Sequence, residues 1–554
     1  MMKNLQSFIL IILFFSSSLA AQNTVGLLSY DPSSTFDGYN LLYPHNQPNV
    51  YLLNNCGEIV HTWTDEPNFR PGNTAYLMPN GNLIKTKRDA TVVNDAIWAG
   101  GGGAIVEIRD WNNNLLWDFE MNTDTTRLHH DIAIRANGNI IMIAWELKTM
   151  EEAIQAGRNP AMLPDGELWP EMIIEVDPNT DEIVWEWHAW DHLIQDFDST
   201  KDNFGVVGDH PELIDINYPE DDGPDDWHHA NAIDYHETLS QVMISIPTFN
   251  ELWIIDRTTT TQQAAGHFGG LSGFGGDLMY RWGNPAAYNA GDSTDQKMFY
   301  QHDPHWVDDF VDNTHPQFGK IAFYNNRVTD TTSTVNVFTP IWDMYKWSYS
   351  FENGKWGPED YSWSYSTPDP TTMHSTGLSG IQFQPNGNAL ICVGRFGYVF
   401  EITPEEEIVW EYRTPLLAGN PVDQGTELSI NNNLTFRFPR YPSDYDAFDG
   451  QTLDPIGYLE TNPNTEFCDQ LTPVMEVSHD YRLEIYPNPA DQMITLEWDG
   501  GVWVDVAIYD IVGRKYDQME LTGGRKYLDL SSLPNGIYIL QVNGEAIKKF
   551  VISR

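Results

Sequence analysis

The chain has 554 residues, 41% of them hydrophobic, with 30 Lys and Arg against 79 Asp and Glu and a formal net charge of −49. That balance excludes nucleic acid and anionic lipid as partners, because both demand a cationic face. What remains is an acidic, well-solvated protein, long enough for one large domain and a small one.

Met1 to Ala21 places Lys3 before the apolar run Phe8 to Phe15 and the small residues Ser18, Ala20 and Ala21. This is the layout of a cleaved export signal. The run is much shorter than the ~20 residues that cross a bilayer. No later stretch is long and apolar enough for a membrane helix, so an exported, soluble chain with no transmembrane segment is expected. Cys56, Cys392 and Cys468 are too few for a disulfide framework or a zinc knuckle. They are expected to act as small hydrophobes, with one disulfide left open.

Two β motifs then recur. Tyr76–Thr86, Ile132–Glu146 and Ile381–Gly394 each read as strand, Asn-Gly turn, strand. Ile105–Glu120, Ile173–His188 and Phe400–Arg413 each read as apolar strand, polar turn and a strand ending on Trp. The separation of Asn80 from Asn137 suits the ~40–50 residues of a four-stranded blade plus loops. An all-β, about six-bladed β-propeller is the predicted fold, since radial blades avoid exposed edges. Connections at 151–167, 190–226, 258–277 and 329–372 are expected to be ordered loops walling a pocket over one face.

Thirteen of the sixteen histidines lie between His129 and His374, in stretches where the β pattern restarts. A propeller would gather such residues around its axis. Imidazole serves there as nucleophile, proton shuttle or metal ligand.

After Cys468 the character changes to a compact series of strands, predicted as a small β-sandwich. Tyr486-Pro487-Asn488-Pro489, Leu530 to Tyr538 and Lys548-Lys549-Phe550-Val551 resemble the C-terminal sorting domain of the type IX secretion system. The resemblance implies export through the periplasm and outer membrane by that machinery, followed by release or surface attachment. The expected organisation is a signal at 1–21, a propeller at 22–465, a linker at 466–480 and the sorting domain at 481–554.

The body carries a second resemblance. Asp226 to Asn231, Ile233-Asp234-Tyr235, Glu251 to Arg257, Tyr280 to Pro285, Gln301-His302-Asp303, and Pro385 to Asn388 followed by Ile408 to Tyr412 resemble the arylsulfotransferase (aryl-sulfate sulfotransferase) family. This implies a six-bladed propeller that moves a sulfuryl group from a phenolic sulfate donor to a phenol acceptor through a sulfated histidine. No nucleotide, metal or other cofactor is implied. His229 and His302 fit the family's first two active-site histidines, Arg327 fits its arginine loosely, and His374 stands about where its nucleophile lies. His130, which starts a blade as His302 does, and Asn231 are expected to bind substrate. Imidazole to attack, imidazolium to donate and a guanidinium for the oxyanion suffice chemically.

Two other classes stay open. A metal-dependent hydrolase would draw on His129, His130, Asp131, His229, His302 and His305. A non-catalytic surface propeller would use its 20 tryptophans as stacking platforms. A homodimer also stays open.

Overall fold

The computed structural model describes residues 23–92, 95–97, 99–219, 226–468, 483–510, 514–542 and 545–554. The expected export signal and most of the expected linker lie outside the described residues. The chain forms two compact units, 1–473 and 474–554.

The larger unit is all-β in design: six antiparallel sheets of four or five strands. Sheet I runs Arg440–Pro442, Gly38–Leu42, Val50–Leu53, Glu58–Trp63 and Gly457–Tyr458, so a late strand pairs with an early one. Sheet II runs Phe69–Leu77, Leu83–Asp89, Ile105–Arg109 and Leu115–Glu120. Sheet III runs Thr126–Ile134, Ile140–Glu146, Glu171–Asp177 and Glu182–His188. Sheet IV runs Ala232–His236, Gln241–Ile246, Glu251–Asp256 and Tyr280–Trp282. Sheet V runs His302–Trp306, Ile321–Thr329, Thr332–Phe338 and Trp363–Tyr365. Sheet VI runs Gly380–Phe383, Ala389–Val393, Tyr398–Ile402 and Ile408–Arg413, with Gly26–Tyr30 added outside.

The first strand of each sheet is tied to the next sheet by a side chain. Asp131 Oδ2 accepts from Ile233 N at 3.1 Å, Asp234 Oδ2 from Trp306 N at 2.8 Å and Asp303 Oδ2 from Ile381 N at 3.0 Å. Gln382 Oε1 accepts from Arg440 N, Leu77 N donates to Tyr441 Oη, and Tyr76 Oη donates to Asp131 Oδ1. These six ties run from sheet I to sheet VI and back, which is the order of a six-bladed propeller. Each satisfies a polar group that the hub would otherwise bury unpaired.

Apolar packing follows the same order, with one buried cluster at each junction between sheets. Ile141, Ile173, Trp185 and Trp187 of sheet III meet Ile233, Ile244 and Trp253 of sheet IV, and Leu52 and Trp63 of sheet I meet Leu77 and Leu83 of sheet II. Central strands are therefore buried on both faces and read as continuous hydrophobic runs, as in Ile140–Glu146.

The two repeated motifs are the first and last hairpins of sheets II, III and VI. Gly81, Gly138 and Gly387 have φ of 83°, 90° and 94°, a left-handed state that glycine adopts freely. Gly81 N donates to Met78 O, so the turn is a three-residue loop ending on a left-handed glycine rather than a two-residue one.

Two expectations are corrected. Residues 329–372 are not one connection: Thr332–Phe338 and Trp363–Tyr365 inside them complete sheet V. Their period-2 pattern was hidden by the aromatic-rich insertion between them. Cys56 and Cys468 are bonded, with Cα atoms 5.6 Å apart, while Cys392 is buried and free.

The smaller unit is built on one long strand, Met493–Asp510. Leu483–Tyr486 pairs with its first half, Gly536–Val542 with its second, and Lys515–Asp529 with both. Ile494 and Leu496 from the first half share a core with Val506, Ile508, Leu540 and Phe550.

Candidate active site

His130 lies midway along the first strand of sheet III, His229 three residues before that of sheet IV, and His302 opens that of sheet V. His130 and His229 hold left-handed backbones, with φ of 49° and 52°, and Asp303 beside His302 has φ of 60°. The ladder slips between Met142 and Ala144 opposite His130, and between His302 and His305. Such bulges re-aim a side chain, and left-handed non-glycine residues cost roughly 1–2 kcal/mol each. Strain of this kind clusters at functional sites.

The rings converge. His130 and His229 lie 4.8 Å apart edge to face. Tyr300 lies 6.2 Å from both His229 and His302, and Phe436 lies 6.2 Å from both His130 and His302. The main chain of Gly100 and Gly101 approaches from sheet II. A Cβ on Gly101 would fall 2.0 Å from His130 Nε2, and one on Gly100 would fall 3.6 Å from His229 Cε1. A glycine run is what such proximity requires.

Each imidazole has its own anchor. His302 Nδ1 lies 2.8 Å from Asn326 Oδ1. Both hydrogens of that amide go elsewhere, to Ser375 O at 2.8 Å and Leu378 O at 3.0 Å. Asn326 Oδ1 can therefore only accept, which puts the His302 proton on Nδ1 and leaves Nε2 as the basic nitrogen. Burial pushes the His302 pKa down to about 3, so the ring is neutral. His229 behaves oppositely. Burial alone would lower its pKa, but the Asp226 carboxylate hydrogen-bonded to Nδ1 outweighs this and raises it. Asp226 is itself held by Trp145 Nε1 at 2.7 Å.

His130 is anchored through a neighbour. Its Nδ1 is 2.9 Å from His129 Nδ1, and His129 Nε2 is 2.7 Å from Glu171 Oε2. Burial, then the nearby Asp226, raises the Glu171 pKa well above the carboxylate range. A proton on Glu171 thus decides which His130 nitrogen carries hydrogen.

Positive charge gathers at the open side. The Arg327 guanidinium lies 3.5 Å over the Tyr300 ring and donates from Nε to Thr376 O at 2.9 Å. Arg395 gives Nη1 to Asn431 and keeps a buried Nε with no hydrogen-bond partner. Burial and the Arg327 charge pull its pKa down. Arg437 is different: Asp131 at 2.8 Å and Asp303 at 2.9 Å neutralise it, so it braces the hub.

Of the residues singled out from the sequence, His130, His229, His302 and Arg327 are brought together. His374 is not. Its Nδ1 faces Ser333 Oγ at 3.5 Å, and among the described residues its ring meets none of the other three. Its segment contributes main-chain carbonyls instead, at Ser375, Thr376 and Leu378. Asn231 is fully buried and donates to Gln301 O at 2.8 Å, which positions the residue before His302, while its Oδ1 has no hydrogen-bond partner. Sequence reading passed over Asn326, Asp226, Glu171, Arg395 and Tyr300. Of these, Asp226, Asn326 and Tyr300 each lie within three residues of His229, Arg327 or His302, which the sequence does single out.

A family model described as Arylsulfotransferase (ASST) matches residues 75–415, and one described as a secretion system C-terminal sorting domain matches residues 484–553. No curated protein matches. Among solved structures, a protein of unknown function from Bacteroides caccae is 10% identical with a TM-score of 0.37, covering 68% of this chain and 94% of that one. PorZ, a surface component of the type IX secretion system of Porphyromonas gingivalis, is 10% identical with a TM-score of 0.29, covering 92% and 68%. Virginiamycin B lyase from Staphylococcus aureus is 11% identical with a TM-score of 0.31, covering 69% and 86%. Likenesses this loose carry nothing about function.

Proposed function

The chain belongs to the arylsulfotransferase family, whose model spans more than half of it, and from that premise we propose that it moves a sulfuryl group between phenols with His302 as nucleophile. Its sorting domain indicates export to the cell surface or beyond it. The neutral His302 attacks sulfur through Nε2; an N–S bond forms as the ester S–O bond breaks. The departing phenoxide takes the proton carried by His229, whose charged form Asp226 stabilises. In the return half, the acceptor phenol gives its proton to His229 and attacks the same sulfur, and the N–S bond breaks. Arg327 and the unpaired Nε of Arg395 receive the sulfuryl oxygens. Charge spread over those oxygens in a loose transition state, by analogy with phosphoryl transfer, is what such donors stabilise.

The observation that carries this reading is the Asn326 amide, which commits His302 to a single tautomer. His130 is the less suited nucleophile, since Gly101 covers its Nε2 and its tautomer depends on Glu171. The test is incubation with an aryl sulfate, acid-free quenching and peptide mass spectrometry. An adduct of roughly 80 Da on His302 is expected for a sulfated nucleophile. The same adduct on His130, His374 or any other residue overturns the assignment.

A further inference from the structure

A second histidine cluster lies away from the hub, where the connection after Glu251–Asp256 meets the outer edge of sheet III. His192, His267 and Asp277 each place one possible ligand atom within 4.8 Å of the others. His192 is stacked on Trp187 with ring centroids 5.6 Å apart and is fully buried.

Its two nitrogens pose a conflict. Nε2 lies 2.8 Å from Ala264 O. A carbonyl only accepts, so Nε2 carries hydrogen and Nδ1 of the neutral ring is a lone pair. That lone pair faces Asp277 Oδ1 at 2.7 Å, another acceptor. His267 Nδ1 meets the same oxygen at 2.8 Å. One carboxylate oxygen thus receives two imidazoles, one of them wholly desolvated. Something positive belongs between them.

We infer that His192, His267 and Asp277 form a binding site for a first-row divalent cation of the zinc type. Two imidazoles and one carboxylate suit such an ion better than magnesium or calcium, which prefer all-oxygen sets. The His192 Nε2–H on a main-chain carbonyl is the outer contact that metal-ligating histidines usually make. Gly276 makes room for it: a Cβ there would fall 1.9 Å from Ala264 O and 2.6 Å from His192 Nε2. The His267 side chain is 53% exposed, which gives the ion an entry path and a water as fourth ligand. On binding, His267 shifts its hydrogen from Nδ1 to Nε2, and any proton shared by His192 and Asp277 leaves to solvent. The bound ion would clip the 258–277 loop to sheet III.

The experiment uses untagged full-length protein dialysed against zinc chloride and then metal-free buffer, with zinc measured by mass spectrometry. Wild type should retain about one zinc per chain, and His267→Ala and Asp277→Asn should fall about tenfold or more below it. Zinc should also raise the thermal unfolding midpoint of wild type and not of His267→Ala. If Asp277→Asn fails to fold, the half-exposed His267→Ala decides alone. Equal zinc in wild type and His267→Ala, or none in either, overturns the site and leaves a proton as the shared cation.

Discussion

At the hub, His302, His229 and His129 each have a separate partner in Asn326, Asp226 and Glu171. At the edge of sheet III, His192 and His267 converge on one oxygen of Asp277. Separate anchors let His302 and His229 settle their protons independently, so the pKa values of these two diverge. His302 falls to about 3 while His229 rises. Titratable groups pushed apart in this way divide into nucleophile and acid. A shared oxygen cannot divide them, because both rings ask for the same charge to be balanced. That arrangement suits a cation. On the two proposed readings, the same side chain would serve proton transfer in one place and ion binding in another, according to how its partners are shared.

The contrast breaks most easily at His302. His302→Ala should lower initial rates of aryl-sulfate turnover about ten-thousandfold, with far-ultraviolet circular dichroism unchanged. Full activity in that variant would remove the hub from the chemistry. Asp226→Asn should cost about a hundredfold in kcat and move the alkaline limb of kcat/KM to lower pH. The wild-type limb reflects loss of the His229 proton, and the carboxylate is what holds that proton on. Arg327→Lys keeps a charge but loses the planar fork that meets the sulfuryl oxygens in the transition state; a kcat lowered by roughly tenfold, with donor KM less affected, is expected.

Stability sharpens the contrast further. Buried His129 and His302 both have folded pKa values of about 3 through desolvation, below the ~6.5 of an unfolded histidine. Between those values the unfolded chain binds more protons. Stability is therefore complete above about pH 6.5 and is lost as pH falls toward 3, by up to about 1.4 kcal/mol per pH unit for each ring. Urea unfolding across that range measures it, and a flat profile would mean that these rings are charged when folded. The smallest effect is expected at the edge cluster, where His267→Ala should leave aryl-sulfate turnover unchanged.

Much of the architecture was legible because it is local. The Asn-Gly hairpins, the apolar strand pairs ending on Trp and the period between them are all short-range patterns, and each became the first or last hairpin of a sheet. Sheet V escaped because its outer strands flank a long aromatic insertion. His130, His229 and His302 were legible as candidates because they lie in stretches where the β pattern restarts, and Arg327 through the family resemblance alone. His374 shared that placement, yet its main chain, not its ring, reaches the hub.

The amino-acid order by itself determined an exported, acidic, all-β chain with a sorting domain, since composition, turn chemistry and motif spacing act within a few residues. Tertiary structure alone decided which groups hold which protons. Asn326 is 24 residues from His302, Glu171 is 42 from His129, and Arg437 reaches Asp131 from across the ring. Proton placement depends on desolvation and on a partner within hydrogen-bonding distance, and only closure of the six sheets supplies both.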